Sequence, residues 1–145
     1  AEMHEHCPFD IYTYVAIVTD WCCNTELRQE YYDRIIREYG ENIAPETFFT
    51  ALKVELSHVM QTDSRDFSFA VKILREIERR GYTIHRSVFD KLEKCCTYNS
   101  HAHIRQEYAS IGDIRQFMLL YMLRYVADDQ TSVIYDVADR NGIDI

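Results

Sequence analysis

The stretch DFSFAVKILREIERRGYTIHRSVFDKL, residues 66–92, constrains the fold more than any other part of the chain. Phe67, Ala70, Val71, Leu74 and Ile77 recur at the spacing of one helical face, with charged residues between them on the other. Gly81 stands where that helix ends, because glycine accepts the left-handed backbone that closes a last turn. After a short break Arg86 opens a second helix striped with Val88, Phe89 and Leu92. Two one-faced helices so closely joined must bury their stripes against further helices. The connection leaves one cation at the mouth of whatever groove they form.

The rest of the chain follows the same period. Ile11, Tyr14, Val15, Val18 and Cys22 predict a helix from Phe9 to Cys23. Thr25 caps a second that runs to Tyr39 and stops at Gly40. Asn42 and Pro45 introduce a third, with Phe48, Phe49, Leu52, Leu56, Val59 and Met60 on a wide apolar face. Asp63 and Ser64 break it, and Asp66 caps the helix over 67–80. Further helices are expected over 85–96, 101–109, 114–127 and 131–140, the last stopped by Asn141-Gly142. Strand alternation is nowhere sustained. The expectation is an all-α bundle of seven or eight short helices, one domain over residues 9–145 behind a flexible polar arm at 1–8.

Composition narrows the function. Apolar residues make up 47% and aromatics 13%, too many for a disordered segment, while four Gly and two Pro are too few for an all-β domain with many turns. The charge of −8, from 24 acids and 16 bases, disfavours nucleic acid as a ligand. The basic cluster of Arg75, Arg79 and Arg80 is short and reads as a solvated helix face. The cysteines Cys7, Cys22-Cys23 and Cys95-Cys96 lack CxxC spacing. They are expected as reduced thiols, mostly small core residues, in a cytoplasmic protein. No apolar run nears the ~18 residues of a membrane span, and Arg124 interrupts the longest candidate, Phe117 to Val126.

Catalytic chemistry finds little footing. His4/His6 and His101/His103 are i, i+2 pairs, which do not share a helix face, so no zinc or other metal is expected. No GxSxG turn, no distinct carboxylate pair and no glycine-rich phosphate loop occurs. The chain reads as a binder without cofactor rather than an enzyme. Helix recognition is what remains. Tyr32, Ile36, Tyr39 and Ile43 form a stripe at i, i+4, i+7 and i+11, with Gly40-Glu41 inside it. Four apolar anchors and a carboxylate are how a helix docks into a groove, and the same spacing also serves a helix packed on a core.

Three segments, in order, resemble the Bcl-2 family of apoptosis regulators. IIREYGENI (35–43) is similar to its third homology motif, LxxxGD, with Glu41 for the usual Asp. GYTIHRSV (81–88) resembles the first, GxNWGRxV, with Thr83, Ile84, His85 and Arg86 where Asn, Trp, Gly and Arg are expected. VADRNGID (137–144) resembles the second, WIxxNGGW, with Ile143 for its last Trp. The likeness is of a compact, divergent kind, as in viral or invertebrate members, and it spans nearly the whole chain. It implies a Bcl-2-like bundle around a central helix, and a surface groove for the homology-3 (BH-3) helices of pro-apoptotic partners. Arg86 would then pair with the partner's acid, over a floor of Ile43, Ala51, Val54, Ile73, Ile77 and Phe89.

A pro-survival role, and recruitment to the mitochondrial surface through partners, are further implications of the likeness. His85 stands where the family has a glycine that lets the incoming helix approach closely. Asp90, Lys91 and Glu93 charge a helix that the family buries almost all round, so it is expected to be more exposed or displaced. The eleven Tyr leave a homodimer surface open. Two alternatives stand beside this reading. One is a death-fold adaptor, which would leave the C-terminal residues unexplained. The other is a groove-less Bcl-2-like inhibitor of immune signalling.

Overall fold

The computed structural model describes residues 10–62, 64–98 and 102–145, without the side chains of Lys91, of 95–98 and of Ala102. Among these residues the chain is all-α, as the periodicity predicts. Its eight helices are α1 (Ile11–Val18), α2 (Thr25–Tyr39), α3 (Pro45–Thr62), α4 (Ser68–Arg80), α5 (Ser87–Tyr98), α6 (Ala102–Ile111), α7 (Ile114–Leu123) and α8 (Thr131–Arg140). Single 3-10 turns at Gly40–Asn42 and Asp128–Gln130 precede α3 and α8. The expected arm at 1–8 lies outside the described residues.

Side-chain caps fix where the first helices start and stop. The Asp10 carboxylate accepts the Thr13 amide at 2.9 Å and starts α1 at Ile11. The helix does not reach Cys23. Asp20 takes the Cys22 amide at 2.8 Å, which diverts the chain into a turn after Thr19. Cys22 is therefore exposed and Cys23 half-buried, against their expected place in the core. Cys7, Cys95 and Cys96 fall outside the described side chains. Asn24, not Thr25, caps α2 through the Leu27 amide at 2.8 Å. The stripe expected through Ile43 also breaks, since α2 ends at Tyr39 and Ile35 joins Tyr32 in facing the core.

The central helix is α3. Ten of its eighteen residues are buried, more than one helical face can hold, so neighbours cover it on several sides. Helices α4 and α5 pack directly against it. From α2, Tyr32 reaches both Phe48 of α3 and Phe69 of α4 edge-on. By contrast α5 is one-sided, with Val88, Phe89 and Leu92 buried and Asp90, Glu93 and Lys94 exposed. Helix α1 rests on α2, and α8 lies across α4 and α7. Phe67, Phe117, Tyr121 and Tyr125 form an aromatic ladder that ties the α3–α4 connection to α7.

One charged pair sits inside. Arg28 of α2 meets Glu55 of α3 at 2.8 Å, each only 1% exposed. The Thr25 hydroxyl donates to Glu55 at 3.2 Å and accepts from Arg28 at 3.2 Å, while Arg28 Nε donates to the Cys23 carbonyl at 3.1 Å. Burial pushes the Glu55 carboxyl above its usual range, and the Arg28 charge opposes that rise without cancelling it.

Candidate functional site

The turn between α4 and α5 is built from its own sequence. Gly81 takes φ +76°, and its neighbour Tyr82 donates its amide to Ile77 O at 3.0 Å, which closes α4. Tyr82 then lays its ring near Phe48 and Phe49. Ile84 is buried, and its amide donates to Asn141 Oδ1 at 3.0 Å. His85 lies two residues ahead of α5: its Nδ1 accepts the Ser87 amide at 3.1 Å and lies 2.8 Å from Ser87 Oγ. The imidazole is thus held against the first residue of α5.

The C-terminal end of α4 gathers the other two segments of interest. The Arg80 side chain is 3% exposed, stacks 4.8 Å over Phe48, and donates to Glu76 at 2.9 Å and to the Gly40 carbonyl at 2.9 Å. Its burial corrects the reading of Arg75, Arg79 and Arg80 as one solvated face, which holds for the exposed Arg75 and Arg79 alone. Arg79 pairs with Glu76 and lies 3.9 Å from Glu41. Hydrogen bonds from Arg79, against a smaller opposing effect of burial, hold Glu76 below the usual carboxylate range. On the far side Arg140 donates to Glu78 at 2.9 Å. Gly40 and Glu41 on one side and Arg140 on the other, far apart in sequence, therefore bond to the last turn of α4, and Asn141 bonds to Ile84 just beyond it.

Arg86 stands beside them on the rim of a cleft of about 430 Å³ between the start of α5 and the start of α7. Arg86, Phe89, Asp90 and Glu93 form one wall; Gly112, Asp113, Ile114 and Arg115 form the other. Arg115 pairs with Asp113 at 3.3 Å, and Glu93 accepts the Tyr108 hydroxyl at 2.7 Å. Burial pushes Asp113 up, but the guanidinium and backbone amide of Arg115 outweigh it and hold the carboxyl below its usual range. Arg86 and Asp90 are exposed, and their side chains have no hydrogen-bond or ion-pair partner among the described residues.

Of the seven residues expected to form the groove, only Arg86 and Phe89 line this cleft. Ile43, Ala51, Val54, Ile73, Ile77 and Phe89 are all 4% exposed or less. Ile43, Ala51, Ile73, Ile77 and Phe89 belong to one buried cluster, so the structure brings them together as core. The opposite wall, Gly112–Arg115, escaped the sequence reading, although Gly112-Asp113 marks a helix start. Among the described residues no three His, Cys, Asp or Glu side chains gather as metal ligands, and no helix is long and apolar enough to cross a membrane. His4, His6, Cys7 and His101 lie outside the described residues. No protein-family model matches the chain, and neither does any curated protein or solved structure.

Proposed function

We propose that this protein is a Bcl-2-like regulator of apoptosis, which holds amphipathic homology-3 helices of pro-apoptotic partners and restrains death. The observation that carries the reading is the meeting of three segments at the end of α4. Arg80, the residue before the segment that resembles the first motif, donates to the Gly40 carbonyl of the third, and within that segment the Ile84 amide donates to Asn141 of the second. A chance likeness in three short stretches gives no reason for them to share one site. The site also leaves Arg86 solvent-facing on a cleft rim, where a partner's carboxylate can reach it.

A second reading has its own observation. The expected floor is closed, since Ile43, Ala51, Val54, Ile73 and Ile77 lie in the interior. That favours a groove-less homologue, a helical inhibitor of immune signalling that acts through its surface. Calorimetric titration of the domain with a panel of homology-3 peptides, beside Arg86→Ala, separates the two. The first reading expects micromolar or tighter binding that weakens by up to about fivefold in the variant, the upper worth of an exposed charge pair. Silence across the panel from a folded protein overturns it in favour of the second.

A further inference from the structure

We infer that the cleft beside Arg86 selects helices bearing one acidic and one basic side chain a single turn apart. The inference rests on the helix-binding reading and adds a partner chemistry to it. Five charged side chains line the cleft, and three are already engaged: Arg115 with Asp113, and Glu93 with Tyr108. The two left open are Arg86 and Asp90. They have opposite signs and stand four residues apart at the start of α5, so they share a face about 6 Å apart along the axis.

A helix laid along that rim presents its own i, i+4 side chains at the same interval. One acid and one base, in register, satisfy both open groups. Two acids would meet Arg86 but face Asp90 as well, in a cleft whose lining already holds three carboxylates to two guanidiniums. Two bases would meet Asp90 and be repelled by Arg86. Placing Arg86 at the N-terminal end of a helix adds to the pull on a carboxylate there, because the helix dipole has its positive end at that point. Capping by His85 does not compete for either group, since its ring is turned to Ser87.

The test uses helical peptides on one apolar scaffold that differ at two positions four apart: Glu with Lys in either order, Glu with Glu, Lys with Lys, and Gln with Gln. Titration by fluorescence anisotropy should show a Glu–Lys peptide binding about three- to tenfold tighter than either like-charged one. That margin should shrink as salt rises from roughly 0.05 to 0.5 M. Asp90→Lys should move the preference to the Glu–Glu peptide. Equal binding of all the peptides, or a ranking that Asp90→Lys leaves unchanged, overturns the selectivity while helix binding stands. Homology-3 peptides that bind where every scaffold peptide fails overturn it too. If no helix of any kind binds, the helix-binding reading itself falls, and this inference with it.

Discussion

Removing either partner of the Arg28–Glu55 pair should damage the fold in two distinguishable ways. In Glu55→Gln, Arg28 keeps its contacts to the Cys23 carbonyl and Thr25 but loses the one carboxylate that pairs with it among the described residues, 2.8 Å away at 1% exposure. Its Nη1 already has no partner, so no spare acceptor stands ready. A guanidinium does not shed its proton, and an uncompensated buried charge costs about 3–5 kcal/mol. In Arg28→Met the stranded group is a carboxylate, which can take up a proton instead. Relative to an unfolded chain in which Glu55 titrates at its ordinary 4.5, full protonation costs about 3 kcal/mol at pH 7 but only about 1 at pH 5.

Arg28→Met should therefore gain up to about 2 kcal/mol on Glu55→Gln between those two pH values. Urea denaturation followed by circular dichroism at both pH values reads the difference. A third chain, Arg28→Met with Glu55→Leu, should be within about 1 kcal/mol of the parent or more stable, because apolar side chains replace a buried pair without a desolvation penalty. Single variants that each cost less than about 1 kcal/mol, or whose stabilities keep the same gap at pH 5 and pH 7, would refute the argument.

Two further outcomes concern the site and the whole molecule. At the turn, Gly81→Ala should cost about 1 kcal/mol in a thermal melt, from backbone strain alone at φ +76° with no atom within 4 Å of the new Cβ, and His85→Ala a similar amount from the lost cap. With pH, Glu76 and Asp113 both titrate lower in the folded chain, so their contribution is complete above their ordinary values of 4.5 and 3.8 and is lost as pH falls through the depressed ones. Glu55, shifted upward, works the other way and gains as pH falls; Glu76→Gln should flatten the acid limb of a stability–pH curve, and an unchanged limb would count against the assignment.

The helices were legible because burial of one face imposes a period that single residues cannot hide. Their ends were less so. Periodicity ran on through Cys22, but one carboxylate at Asp20 captured an amide and ended the helix first. The same extrapolation carried the α2 stripe to Ile43, past a 3-10 turn that rotates the chain. Arg86 is exposed, since a residue just ahead of a helix after a glycine stop has few ways to be buried. Arg80 was misread because spacing shows which face a residue occupies and not which distant carbonyl will cover it. The far wall of the cleft depends on how α6 and α7 return to α5, a long-range matter that no local pattern encodes. The bond of His85 to the Ser87 amide depends on the direction of its ring, which no sequence pattern encodes.

The hydrogen bond from the Ile84 amide to Asn141 spans 57 positions of chain, which sets an order of events during synthesis. A ribosome releases the α4–α5 turn long before Asn141 appears, so during that interval the turn lacks its cross-strut and α8 has yet to cover α4. The nascent intermediate therefore carries an uncovered apolar flank on α4, the kind of surface that chaperones recognise. The closing contact is also among the least local in the molecule, and loop-closure entropy makes such contacts the late ones to form. Fastening of the α4–α5 turn to the end of α8 thus belongs to a late stage of folding, after both walls of the cleft have been synthesised.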